Sequence, residues 1–321
     1  MLLYLARKEG NNMPINEYGM NDDFVKYFYI EEFIDKIKLV DSLLYHLEET
    51  SRDFDEYITL LSQYTDEEII NYLISISHQE LRANQNIENY DLNTKLLENK
   101  GILFDSLNIS NKRIHDLHNF VMESADESFI PSFTYRKTPV NISSIKKDGT
   151  EDVYWKGANP EDVNRFMTDF IKVYKQNKMS LVYSNPFLNS ALMSLIFNRI
   201  HPYTDGNGRT SRIIYNLKFT EKINKNYQTR LMLCPLNISN RILANKKTYV
   251  DRINYIAFDL ETDNNKAINN WFDFILTMAD EQLYYSKQRI NDLLKEKEPI
   301  ISLDDEKTLK RVKKMKLSKL K

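Results

Sequence analysis

The sequence predicts an all-α protein. Three observations carry this: scarce glycine, a long proline-free stretch, and apolar residues recurring at helical spacing. Glycine occurs seven times in 321 residues, about 2% against an average near 7%. Glycine supplies turns and close backbone approaches, so a chain this poor in it has few hairpins. The eight prolines leave residues 15–130 free of them, and proline is what interrupts helices. The net charge is −2, so no global field draws the chain to nucleic acid. One cysteine, Cys234, excludes an internal disulfide framework and any multi-cysteine zinc site. No apolar run reaches the roughly 18 residues of a membrane span. The start, Met1 to Arg7, lacks the basic lead-in of a secretory signal, and a cytoplasmic location is expected.

The elements follow in order. Phe24, Tyr27, Phe28, Phe33, Ile34, Ile37 and Val40 predict a first helix. Ser51-Arg-Asp-Phe-Asp-Glu-Tyr57 and Thr65-Asp-Glu-Glu-Ile-Ile70 each open a new one with a capping residue and early acids. Thr65 and Glu68 have capping-box spacing. Gly101 ends a helix carrying Leu96 and Leu97. Another runs over Ile114, Leu117, His118 and Val121. Two short β-rich runs, Val140–Ile145 and Val153–Trp155, flank the turn signal Lys147-Asp-Gly-Thr150, which predicts the chain's one hairpin. Asn159-Pro-Glu-Asp162 marks a helix start. Pro186 to Ile200 is apolar on nearly every side, as in a buried helix. Further helices are expected from near Arg209, over 240–258 and over 268–294. The tail from Ile301 holds eight basic and three acidic residues and reads as a solvated helical end or as a partner or nucleic-acid contact.

The chemistry gathers in residues 201–212. A buried helix ends there, a loop with two of the scarce glycines follows, and a new helix begins. Backbone N–H groups at a helix N-terminus form an anion site. Arg209 and Arg212, three apart, share one side of the first turn. Two cations at the positive end of a helix are unfavourable unless a polyanion sits against them. Asp205 is a hard oxygen ligand suited to Mg²⁺ on phosphates. His201 can take a proton near neutral pH. Each residue alone has an ordinary structural reading: a capped helix end, a turn, surface ion pairs. Together they describe phosphoryl or nucleotidyl transfer. No P-loop and no HExxH motif is present. Cys234, beside a proline in an apolar stretch, reads as a buried structural thiol.

The run His201-Pro-Tyr-Thr-Asp-Gly-Asn-Gly-Arg-Thr-Ser-Arg212 resembles the signature of Fic-domain proteins, His-Pro-Phe-x-Asp/Glu-Gly-Asn-Gly/Lys-Arg-x-x-Arg. Tyr203 in place of Phe is the one departure. Upstream, Phe133-Thr-Tyr-Arg136 with Val140-Asn-Ile142 is similar to the strand entering the family's target-binding flap, with Phe133 where Gly is usual. Asn245 and Tyr249 match an Asn-x-x-x-Tyr pair on a later helix. Asn84-Gln-Asn-Ile-Glu-Asn89 resembles the family's inhibitory motif, Ser/Thr-x-x-x-Glu-Gly/Asn, with Asn84 as the departure.

The resemblance implies a Fic-type helical core over 114–280 with one β-hairpin flap, an N-terminal helical region over 1–113, and a C-terminal helix and basic tail over 281–321. It implies adenylylation of a target protein's hydroxyl from ATP. His201 would be the base and Asp205 the Mg²⁺ ligand. Gly206, Asn207 and Gly208 would cradle the phosphates, with Arg209 and Arg212 at their β/γ end. Asn245 and Tyr249 would lie near the nucleoside. Glu88 would pair with Arg212 as a brake, with Asn84 steadying the carboxylate and Asn89 completing the motif. The target would lie along Val140–Ile145, and a homo-oligomer is compatible with this reading. The rivals are another transfer at the same cradle (a different nucleotide, phosphate alone, AMP removal) and a non-catalytic, nucleotide-regulated binding module.

Overall fold

The computed structural model describes residues 29–92, 109–126, 128–145, 151–176, 178–227, 234–257 and 263–296. The expected helix before Gly101, the turn at Lys147–Thr150 and the basic tail lie outside them.

Eleven helices and one hairpin make up these residues. The first three helices are α1 (Ile30–Asp35), α2 (Asp41–Leu61) and α3 (Asp66–Ile87). Then come α4 (Asn111–Glu123) and the antiparallel strands β1 (Asn141–Ile145) and β2 (Glu151–Lys156). A bulge falls between Ile142 and Ser143. α5 (Val163–Lys175) and the short α6 (Leu181–Ser184) lead to α7 (Pro186–Ile200) and α8 (Asn207–Tyr227). α9 (Ile238–Ala244), α10 (Lys246–Asn254) and α11 (Asn265–Glu296) complete the fold. The all-α expectation with a single hairpin holds for the described residues. None of their helices is long and apolar enough to cross a membrane.

α7 is the central element. Asn185 caps it through the Phe187 and Leu188 N–H groups, and Pro186 opens its first turn. Almost all of it is buried. Phe54 of α2, Phe187 of α7 and Phe219 of α8 meet edge to face at centroid distances of 5.7, 5.4 and 4.9 Å. The trio ties the N-terminal helices to the pair that carries residues 201–212. Trp271 of α11 closes the other side, donating its indole N–H to the Ala191 carbonyl at 3.1 Å. Cys234 is buried as a free thiol.

Two expectations fail. Ser51 does not open a helix; it lies inside α2, which starts at Asp41. Leu43, Leu47, Phe54, Tyr57 and Leu61 form one buried stripe along α2, and that continuous burial overrides a local capping signal. The first helix ends at Asp35, well short of Val40. The Asn269 side chain accepts from the Val40 N–H and donates to the Lys38 carbonyl, so these backbone groups are paired off the helix. The Thr65–Glu68 capping box is present, with both bonds made. The expected helix over 240–258 divides at Asn245 into α9 and α10.

A buried polar seam joins α3 to the core. The fully buried Glu80 carboxylate accepts from the Ser239 N–H (2.8 Å) and hydroxyl (2.6 Å) at the start of α9, and from Asn216 Nδ2 of α8 (3.2 Å). Burial pushes its pKa from an ordinary 4.5 up to about 7, against the pull of Ser239, Arg212 and Asn216. The folded state thus keeps a proton that the unfolded chain has released. This group's contribution to stability falls as pH rises from about 4.5 to about 7. E80Q removes the titration, so the stability of E80Q relative to wild type should rise across that window. Denaturant midpoints measured at a series of pH values test this, and a difference flat in pH refutes it.

Candidate active site

α7 ends at His201, held in the left-handed region at φ 54° as its C-cap. That conformation turns the chain sharply into the loop. His201 Nδ1 lies 3.0 Å from the Asn198 carbonyl. A carbonyl only accepts, so Nδ1 carries the hydrogen and Nε2 keeps its lone pair. Burial lowers the pKa to about 4, with Arg136 adding to the effect. The imidazole is neutral through the physiological range, as a proton acceptor must be. Trp155 of β2 packs edge-on against it, centroids 5.5 Å apart.

The loop closes on itself. Asn207 accepts from the Tyr203 N–H (2.9 Å) and donates to the Tyr203 carbonyl (2.8 Å). Its amide therefore shapes the loop. Gly206 sits at φ 80°, where a Cβ would also run into Met122 and His118 of α4. A Cβ on Gly208 would come within 3.1 Å of Glu88 Oε1 and 3.2 Å of Arg212 Nη1, so those side-chain ends would have to shift slightly. The Tyr203 hydroxyl, absent from the signature's Phe, is 2.8 Å from His115 Nδ1.

Arg209 and Arg212 are both 2% exposed. Arg209 reaches Asp205 at 3.0 Å and Gln85 Oε1 at 3.3 Å, with its guanidinium 4.4 Å over the Tyr90 ring. Arg212 donates from Nη2 to Glu88 Oε1 at 2.8 Å and from Nε to Asn84 Oδ1 at 2.6 Å. Burial raises the Glu88 carboxyl, but Arg212, Lys246 and Arg209 more than offset this and leave its pKa below the usual value. Asn84 departs from the expected role. Its amide does not steady Glu88; Oδ1 takes Arg212, and Nδ2 donates to the Arg209 carbonyl at 2.8 Å. An amide is long enough to reach across to α8.

The position of Asn89 has a backbone reason. Glu88 is the C-cap of α3, Asn89 follows at φ 63°, the Asn89 N–H bonds to the Asn86 carbonyl, and the Tyr90 N–H to that of Gln85. This pair of bonds is a Schellman motif, and its left-handed residue favours Gly or Asn. Lys246 Nζ donates to the Ile87 carbonyl at the same helix end.

Asp205 is the one carboxylate in the loop. Its side chain is 63% exposed, and it accepts from the Gly206 N–H at 2.6 Å. Among the described residues no cluster of three or more His, Cys, Asp or Glu could hold a metal by itself. A lone accessible carboxylate suits Mg²⁺, which is commonly bound by one or two carboxylates plus substrate phosphates. Asn245 is half-buried, with its amide on the Arg241 carbonyl (3.0 Å) and Met278 sulfur (3.5 Å). Tyr249 is buried against Trp271, with Arg212 beside its hydroxyl.

Sequence reasoning gave Arg136 no role. Its Nε donates to the His201 carbonyl at 2.7 Å, its Nη1 to that of Thr138 at 2.8 Å, and its Nη2 to those of Ala158 and Ile200. Its own N–H bonds to the Pro202 carbonyl at 2.9 Å. One buried guanidinium thus joins the approach to β1, the exit from β2 and the turn at His201. Phe133, two residues before the Tyr135–Arg136 pair, is exposed.

A helical core with one hairpin thus sets a histidine, an acid and two paired arginines around the N-terminus of α8. Residues 108–218 match the Fic/DOC family and make up a Fic domain, which fits a transferase of some kind. Solved structures that share the fold include two Fic proteins. One is a Fic family protein from Desulfovibrio desulfuricans G20 (15% identical, TM-score 0.55, 78% of this chain and 76% of that one covered). The other is Fic-1 from C. elegans (17%, 0.50, 80% and 74%).

Replacing Arg136 by Lys keeps a charge but offers one nitrogen where three now serve. Hydrogen bonds from charged groups contribute about 1.5–3 kcal/mol each, so R136K should lose at least about 2 kcal/mol of stability. Equal unfolding midpoints for R136K and wild type would show the clamp to be idle.

Proposed function

We propose that this protein is an adenylyltransferase that moves AMP from ATP to a hydroxyl side chain of a target protein, and that Glu88 restrains it. The observation that carries the reading is the state of His201: a neutral imidazole whose Nδ1–H is committed to Asn198, with Nε2 free to accept, at the mouth of an anion cradle. The target segment would pair along β1, Val140–Ile145, where main-chain groups orient a hydroxyl without reading much sequence.

In this reading His201 Nε2 takes the hydroxyl proton, the oxygen attacks the α-phosphorus, and the bond to the bridging oxygen breaks, releasing diphosphate. Arg209 and Arg212, freed from Asp205 and Glu88, balance the charge gathering on that leaving group. The N–H groups at the start of α8 cradle the phosphates. Mg²⁺ held by Asp205 would neutralise charge on the α- and β-phosphates.

Incubation with α- or γ-labelled ATP separates the rival chemistries. Protein-bound label from the α form alone is the expected result. Label from γ alone means phosphotransfer, and label from neither points to another donor or to a binding module. H201A should keep ATP binding and lose about 10²–10⁴ in turnover. The acid limb of kcat/KM should fall near pH 4, where burial places His201, well below an exposed histidine. A limb between 6 and 7 would place the base elsewhere.

In this reading the Glu88–Arg212 pair would take the place of the γ-phosphate's own contact to Arg212. Glu88 keeps 39% of its side chain exposed, so water screens part of the attraction. E88G should raise labelling several-fold, and E88G/H201A should abolish the gain. Unchanged labelling in E88G would leave the pair a structural contact without a braking role.

A further inference from the structure

Asn207 shapes one end of the motif from within, and α4 imposes the rest from outside. His118, 3% exposed, lies flat on Tyr203, with centroids 3.6 Å apart and planes 10° apart. Phe129 meets its ring edge-on at 5.9 Å. His118 Nε2 is 2.9 Å from the Asp205 carbonyl oxygen, so Nε2 carries the hydrogen and donates. The ring is therefore pinned on its face and its edge while it holds one loop carbonyl.

That carbonyl matters because of the residue after it. The peptide unit between Asp205 and Gly206 carries the Asp205 C=O on one side and the Gly206 N–H on the other. The C=O faces His118, and the N–H bonds to Asp205 Oδ1 at 2.6 Å. Residue pairs ending in glycine can rotate such a unit by half a turn, because glycine accepts φ of either sign. A rotated unit would strip the carboxylate of its own N–H partner and displace it. Within the loop the Asn207 amide is committed to Tyr203, so it does not guard this peptide. His118 does, from outside the motif.

We propose that His118 is a positioning residue for Asp205: by holding its carbonyl it fixes the 205–206 peptide, and with it the carboxylate that would take Mg²⁺ in the nucleotide complex. The metal part rests on the function proposed above; the peptide clamp does not.

Three variants separate the donor from the ring. H118F keeps a stacking ring without a donor. H118N has an amide too short to reach. H118Q places an amide nitrogen close to where Nε2 stands. Two readouts apply: the gain in ATP affinity on adding Mg²⁺ over chelator, by calorimetry, and amide exchange of the 203–209 segment in the ligand-free protein. H118F and H118N should bind ATP in chelator as wild type does, lose about ten-fold or more of the Mg²⁺ gain, and exchange faster in the loop; H118Q should restore both. A full Mg²⁺ gain with wild-type loop exchange in H118F or H118N overturns the proposal, as does failure of a well-folded H118Q to restore them. If wild type itself shows no Mg²⁺ gain, the reading of Asp205 as metal holder falls. Loop exchange alone then decides the clamp: faster in H118F upholds it, unchanged overturns it.

Discussion

Two guanidinium groups buried at the positive end of a helix are the constraint on which the rest of this structure turns. Arg209 and Arg212 stand in the first turns of α8 with almost no access to water, where the helix dipole opposes them. A buried cation left unpaired is costly, so the surroundings must supply acceptors whether or not a nucleotide is bound. They come from Asp205 within the loop and from Gln85, Asn84 and Glu88 on α3. The N-terminal helices are thereby bound to the site electrostatically as well as through the Phe54–Phe187–Phe219 contact. The same cationic demand that would draw a polyphosphate to the cradle, under the proposed function, draws α3 to it.

Much of this was legible in the sequence wherever a residue type has only one physical use. Two glycines two apart in a glycine-poor chain marked the loop: Gly206 is required by its positive φ, and Gly208 lies close under the Glu88 and Arg212 side chains. Thr65 with Glu68 marked the start of α3 and makes both capping bonds. The buried helix over Pro186–Ile200 appeared at its expected bounds. What failed was local signal outweighed by tertiary burial, as at Ser51 inside α2, or backbone captured by a distant side chain, as Asn269 captures Lys38 and Val40. Contacts between side chain and backbone across the chain were invisible. Arg136 on four carbonyls and His118 on the Asp205 carbonyl are 65 or more residues from the motif atoms they hold, and nothing in their own neighbourhood signals it. Asn84 was readable as part of a motif, but its length decided which partner it took.

The side chains of α3 that face α8 recur one turn apart. Glu80 takes Asn216, Asn84 takes Arg212 and the Arg209 backbone, Gln85 takes Arg209, and Glu88 takes Arg212. These are rungs of one seam, because i and i+4 positions line a helix face. The rungs differ in burial. Glu80 and Asn84 are fully enclosed, whereas Glu88 is partly in water at the C-cap. Disengaging the enclosed rungs would strand buried polar groups. Disengaging Glu88 releases a carboxylate that water can receive.

The seam therefore divides enclosed rungs that anchor α3 from an outer one that can part. Under the proposed function, a phosphate arriving at Arg212 would displace only the outermost carboxylate, while Asn84 keeps the guanidinium aimed through its Nε and Glu80 keeps α3 docked. The residue that follows Glu88 makes such a local change feasible: at Asn89 the helix has already ended in a left-handed turn, so the carboxylate can swing out without unwinding hydrogen bonds inside α3. Parting such an outer contact costs the fold little. The affinity to be overcome is set by one half-exposed ion pair, and the packing of the N-terminal helices stays intact.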